Sequence, residues 1–271
     1  MPTVTSSDGT TIGYESAGSG PALVLVDGAF CYRGFGPMPG LAAQLTEHFT
    51  VYTYDRRGRG ESGDTQPYAP EREIDDLEAV IDAAGGRALV FGTSSGAVLA
   101  LRAAAAMPAK VVKVAVYEPP MVVDHSRKKL PPADYRQTVD KLVASGRNGE
   151  LVAFFMTKMI GAPAIMPWVM RLTPPWKKLK SIAPTLRYDF AILGDTQLAK
   201  GLPDELAKAL GAVEAPALVA DGGKSPTYMH HAADAVSGAL ADTRRVTIPG
   251  QTHMFKPEAL APELISFYTG A

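Results

Sequence analysis

Cysteine is nearly missing from these 271 residues: Cys31 stands alone, so the chain can close no internal disulfide and offers no cysteine metal cluster. Histidine is scarce too, at five residues. His230 and His231 are adjacent on an expected helix, where neighbours do not share a face, and they make a poor metal pair. Long apolar runs are absent. Nothing approaches the ~18 uninterrupted apolar residues of a membrane span, and the alanine-rich stretch 97–107 is broken by Arg102. A charge excess is absent as well. The 27 Lys and Arg against 28 Asp and Glu leave −1, which gives no reason to expect nucleic acid or an anionic membrane as partner. The opening MPTVTSSDGTTIGYES has neither a basic start nor an apolar h-region, so a cytoplasmic location is expected. No internal repeat or low-complexity tract stands out. What remains, 46% hydrophobic and 20% charged, fits one large domain able to bury a substantial core.

The chain is organised around residues 87–100, RALVFGTSSGAVLA. A run ending in bulky and β-branched residues leads into Gly92-Thr93-Ser94-Ser95-Gly96, and a strongly helix-forming stretch follows. This is a strand that turns sharply into a helix around Ser94, in the pattern G-x-S-x-G. Glycines two residues either side of the serine let the backbone approach its neighbours where a Cβ would clash. Ser94 is expected in a strained conformation that lifts its hydroxyl clear of the sheet. Ser95 starts the helix, so its N–H lacks an intrahelical acceptor and lies at the positive end of the dipole. The register with Ser95 as nucleophile would need glycine at Thr93 and Ala97. A phosphate-binding loop is a poor alternative, because no lysine follows Gly96.

Strand and helix alternate from Leu23 to Glu118, and again from residue 217 to 268. Strands are expected at 10–15, 22–26, 49–54, 87–91, 111–117, 217–220 and 244–248, and helices at 39–48, 70–84, 95–107, 226–240 and 257–268. That alternation implies an α/β fold: a mostly parallel sheet with helices on both faces. Between residues 121 and 211 no strand is convincing and prolines recur. Helical pieces at 133–145, 149–160, 164–172 and 184–193 carry large, soft apolar residues. The expected organisation is a core of residues 1–120 and 212–271 with an inserted helical lid of 121–211. Some lid residues should wall an apolar pocket; Met156, Trp168 and Met170 are representative candidates.

These residues carry a family likeness. The elbow GTSSG, the Asp27-Gly28 loop after LVLV, the DRRGRGES turn at 55–62, the lid, and Gln251-Thr252-His253 near the end resemble the α/β-hydrolase fold over nearly the whole chain. Within it, the chain is similar to small ester and lactone hydrolases of the zearalenone-lactonase type. The resemblance implies the chain order Ser, acid, His, with His253 as general base. The family's usual acid follows the later strand in a G-x-x-D turn, but here the turn is Gly222-Gly223-Lys224-Ser225. Asp221 stands close to the strand end, and Glu118 after the strand next to the elbow strand is the better candidate. Many relatives have His-Gly where this chain has Asp27-Gly28; the loop can still supply backbone donors.

The resemblance thus implies a serine hydrolase cleaving a carboxylic ester or lactone. Ser94 would attack, His253 would move the proton and Glu118 would orient His253. N–H groups of Ser95 and of Gly28 or Ala29 would hold the oxyanion, and no cofactor is called for. Asp27 and Phe30 join the pocket candidates. The expected partner is a small apolar ester or lactone, and assembly into a homodimer is left open. A cofactor-free perhydrolase, a C–C bond hydrolase and a non-catalytic ligand-binding protein are the alternatives on the same fold. Dehalogenases and epoxide hydrolases need a carboxylate nucleophile, which Ser94 is not.

Overall fold

The computed structural model describes residues 2–270. Eight strands form one sheet: β1 (Thr3–Thr5), β2 (Thr11–Gly18), β3 (Ala22–Val26), β4 (Thr50–Tyr54), β5 (Ala88–Thr93), β6 (Val111–Tyr117), β7 (Ala217–Gly222) and β8 (Thr243–Ile248). Their order across the sheet is β1-β2-β4-β3-β5-β6-β7-β8. The first two pairings are antiparallel and the rest parallel, as the alternation of strand and helix predicts.

The central strand β3, ALVLV, is apolar at every position because both faces are covered, and its neighbours β5, β6 and β7 are apolar apart from Thr93, Lys113 and Asp221. Side chains alternate between the faces with a period of two. Leu23, Leu25, Leu89, Phe91, Ala115, Tyr117, Leu218 and Ala220 point to one side, where they meet α1 (Met38–Leu45) and α11 (Pro257–Thr269). Val24, Val26, Val90, Val114, Val116 and Val219 point to the other, against α2 (Pro70–Ala83), α3 (Ser95–Ala106) and α10 (Thr227–Ala239). Each fully buried aliphatic side chain contributes roughly 1.5–3 kcal/mol.

Between β6 and β7 the chain is helical: α4 (Tyr135–Ala144), α5 (Asn148–Phe154), a π-helical turn (Phe155–Met159), α6 (Met166–Met170), α7 (Pro175–Ile182), a 3₁₀ turn (Ala183–Thr185), α8 (Leu186–Leu193) and α9 (Asp204–Gly211). Helices α8 and α9 both pack on α3. The expected helix over 149–160 is therefore two pieces, and that over 164–172 shortens to five residues. Strand β1 and helices α7 and α9 are additions to the sequence reading. Helix α7 begins at Pro175; the paired prolines read as a break, yet proline suits the first turn of a helix, where its missing N–H costs nothing.

Candidate active site

Ser94 occupies the corner between β5 and α3 with φ 55° and ψ −127°. A Cβ on Gly92 would collide with the Gly96 carbonyl, and one on Gly96 with the Val26 and Asp27 carbonyls. Glycine at both positions lets α3 start directly behind the strand. Four non-glycine residues among those described have positive φ: Phe30 (59°), Ser94 (55°), Glu118 (47°) and Ala199 (56°). The first three share one edge of the sheet, at the ends of β3, β5 and β6. Such conformations cost about 1–3 kcal/mol each and persist where the surroundings enforce them. Here the Ser94 N–H is held by the Tyr117 carbonyl at 3.0 Å, and the Glu118 N–H by the Ala220 carbonyl at 3.0 Å.

A hydrogen-bonded chain runs through three loops. His253 Nε2 lies 3.2 Å from Ser94 Oγ, and His253 Nδ1 lies 2.7 Å from Glu118 Oε2. Glu118 is fully buried and follows β6 directly. Its other oxygen, Oε1, accepts the Gly222 N–H at 2.8 Å and the Ser225 hydroxyl. Ser225, at the place where the family's usual acid would stand, thus supports the glutamate. The His253 loop is tied down in turn: the Tyr117 hydroxyl donates to the Thr252 carbonyl at 2.7 Å, and the Lys224 N–H donates to the Gln251 carbonyl at 2.8 Å. With Nδ1 protonated and its N–H donating to Glu118 Oε2, Nε2 presents a lone pair to the serine hydroxyl.

Beside Ser94 runs the loop 27–31. The Cα of Gly28 passes so close that a Cβ there would lie 2.8 Å from the Ser94 Cβ. The loop is clamped from behind by two fully buried arginines of the 55–62 turn. Arg56 donates to the Asp27 carbonyl at 3.1 Å, and Arg59 to the Gly28 carbonyl at 2.6 Å and the Cys31 carbonyl at 3.3 Å. The guanidinium groups thus hold the loop by its carbonyls. Asp189 on α8 joins the cluster, pairing with Arg56 at 2.8 Å and Arg59 at 2.7 Å and accepting the Ser95 hydroxyl at 2.7 Å. Burial works against an ionised Asp189, but Arg59 and Arg56 outweigh it and hold the carboxyl below its ordinary range. Glu73 completes the neutralisation, with Arg56 at 2.6 Å.

A family model described as the alpha/beta hydrolase family matches residues 19–263. The chain belongs to that family. An alpha/beta hydrolase of known crystal structure from Sphaerobacter thermophilus DSM 20745 is 46% identical, covers 98% of this chain and 100% of that one, and superposes with a TM-score of 0.89. The enol-lactonase from Burkholderia xenovorans LB400 is 18% identical over 99% of this chain and 100% of its own, with a TM-score of 0.71; at that identity the likeness is one of fold. A curated relative, the uncharacterized hydrolase YraK of Bacillus subtilis (strain 168), is 35% identical over 118 residues. That match spans 41% of this chain and 42% of YraK.

In this alpha/beta hydrolase the other expected site residues fall in different places. Phe30 is buried and its ring meets Phe155 of the π-helical turn edge-on at 5.0 Å, so the helical segment packs directly on the loop beside Ser94. Met156 and Met170 are half-buried against the same apolar cluster. Trp168, expected on a pocket wall, is instead exposed, with the Arg171 guanidinium 4.4 Å above its ring. The reason is the shortness of α6, which buries only Pro167. Two cavities, of about 650 and 380 Å³, are lined by residues 146–181 and by residues 66–191. Neither is lined by Ser94, Glu118 or His253, so neither is the expected apolar pocket. Asp27 is buried with Oδ1 unpartnered, and burial pushes its carboxyl up to about 7.

Asp221 is committed elsewhere: its carboxylate pairs with Arg245 and, at 2.6 Å, with His230. Burial alone would raise it, and the Arg245 hydrogen bond turns the balance, leaving it below its ordinary range. His231 pairs with Asp124 at 2.5 Å, while His48 and His125 are exposed. Among the described residues no group of three or more His, Cys, Asp or Glu is placed to hold a metal. Sequence reasoning missed Arg56, Arg59 and Asp189. One signal was available: Asp189 is the only acid between Glu150 and Asp195.

Proposed function

We propose that this alpha/beta hydrolase cleaves a carboxylic ester or lactone through Ser94, His253 and Glu118. The observation that carries the reading is the unbroken hydrogen-bonded sequence Oγ, Nε2, Nδ1, Oε2, at 3.2 and 2.7 Å, ending on a fully buried carboxylate. Ser94 Oγ attacks the acyl carbon as His253 Nε2 takes its proton. The oxyanion is received by the N–H of Ser95, at the start of α3, together with that of Gly28 or Ala29; one such donor is worth about 3–4 kcal/mol. Imidazolium forms beside Glu118, which balances its charge. The proton then passes to the leaving alkoxide, and a water activated by the same imidazole releases the acid. In a lactone both products stay one molecule, a hydroxy acid. The segment 121–211 serves as a lid, with Phe155 packed on Phe30 in the loop beside the reacting group.

The enol-lactonase and a thermophilic esterase from Thermogutta terrifontis share the fold and lend their chemistry as analogy. Displacement of halide, as in the neighbouring ancestral haloalkane dehalogenase, needs a carboxylate where Ser94 stands. The test is a p-nitrophenyl ester with a serine-directed phosphonate. Burst release of nitrophenol and a phosphonate adduct on Ser94 are expected, and Ser94→Ala should show neither while keeping its melting temperature. An adduct on Ser95 would overturn the register, and turnover surviving in Ser94→Ala would overturn the acyl-enzyme.

A further inference from the structure

The charge of this chain is near zero in total but not in distribution. Residues 151–188 hold Lys158, Arg171, Lys177, Lys178, Lys180 and Arg187 and no acid at all, so the remainder of the chain is net acidic. The same stretch concentrates exposed apolar groups. Of the eight large apolar side chains exposed among the described residues, six lie between 160 and 172. Leu172 is 89% exposed, Ile165 65%, Trp168 63% and Ile160 56%. At the centre of this strip α6 has five residues and buries only Pro167. The cations border this apolar strip: Arg171 lies over Trp168 at 4.4 Å, and Arg171, Lys177 and Lys180 line the adjoining groove of about 650 Å³.

We propose that this face docks on an anionic lipid surface. Exposed apolar side chains gathered in such a strip suit insertion below a headgroup layer, and Lys and Arg beside them reach back to its phosphates. Tryptophan capped by a guanidinium has the apolar body and polar edge that such an interface favours. A second copy of the chain is a poor occupant, since a two-fold contact on this face would set Arg171, Lys177 and Lys180 near the same three cations of the other copy. The π-helical turn that leads into this face touches Phe30 beside Ser94. Docking would therefore hold the candidate site next to the lipid. The proposal does not rest on Ser94 being a nucleophile, and its test reads binding without turnover.

The full chain is sedimented with phosphatidylcholine vesicles, with and without about one-third phosphatidylglycerol, at low ionic strength. Binding to the anionic vesicles is expected to be at least about tenfold tighter, to weaken with salt and to shift Trp168 emission to the blue. Lys177→Glu with Lys180→Glu should weaken it more than about tenfold, and Leu172→Ser several-fold, with melting temperatures unchanged. Inorganic phosphate at equal charge should not displace the protein beyond its effect as salt. Equal binding to both vesicles, no binding to either, or indifference to the charge reversals would overturn the proposal. So would a dimer in sedimentation equilibrium that Leu172→Ser dissociates, or full displacement by phosphate.

Discussion

Both oxygens of Glu118 are taken, Oε2 by His253 and Oε1 by Gly222 and Ser225. Glutamine there must turn its amide group toward one of those partners. A donor facing Nδ1 favours the tautomer with Nε2 protonated, which cannot accept the serine proton. Glu118→Gln should therefore lower kcat by about a hundredfold to ten-thousandfold, with KM little changed. Asp221→Asn should lower the melting temperature, through Arg245 and His230, and leave kcat within a few-fold. The opposite pattern in ester kinetics would return the acid role to Asp221. Asp27 makes a separate point about pH. Its folded carboxyl titrates at about 7 against an ordinary 3.8, mainly through burial. Between those values the folded chain keeps a proton that the unfolded chain has released. Stability from this group is thus full below about pH 4, falls as pH rises toward 7, and stays reduced above. Asp27→Asn, which carries no charge to bury, should match the wild type near pH 4 and melt several degrees higher at pH 8. Equal melting temperatures at pH 8 would show that Asp27 bears no such cost.

At the scale of elements, α8 is what fixes the loop beside Ser94. Asp189 neutralises the two arginines that hold the carbonyls of Asp27 and Gly28, and it holds the Ser95 hydroxyl. Asp189→Ala leaves buried cations short of a partner, a loss of about 3–5 kcal/mol. It should lower the urea midpoint and also kcat, with a smaller effect on KM, because the donors of the 27–31 loop lose their backing. A fall in stability with kcat intact would reduce Asp189 to a structural role. This dependence was hidden in the sequence, since Arg56 and Asp189 lie 133 residues apart and nothing local joins them. The β5–α3 corner was legible for the opposite reason: its glycines, its serine and its helix formers are contiguous. Glu118 was legible because the later turn offers Ser225 in place of an acid. Helix α7 was not, because Pro174-Pro175 signals an end and a beginning alike. The outward turn of Trp168 was not either, since nothing in its neighbours' spacing reveals that α6 stops after five residues.

Across the whole molecule, the helical segment and the sheet share one apolar interior. Leu151, Val152, Trp176, Leu186 and Phe190 belong to the same buried cluster as Val26, Val90, Leu99 and Val116. The Asp189 ion pairs cross the same boundary. A segment joined in this way has no separate core to melt. Both tryptophans of the chain, Trp168 and Trp176, lie in that segment, and Trp176 is buried. Tryptophan emission therefore reports the segment, while far-ultraviolet dichroism reports the helices of the whole chain. Thermal unfolding followed by the two signals should give one midpoint, as a single cooperative unit requires. In Asp189→Ala the link is weakened on the segment's side, and the tryptophan transition should then come first. A tryptophan midpoint well below the dichroic one in the wild type would mean that the segment detaches as a unit of its own. The shared core would then be too weak to hold it.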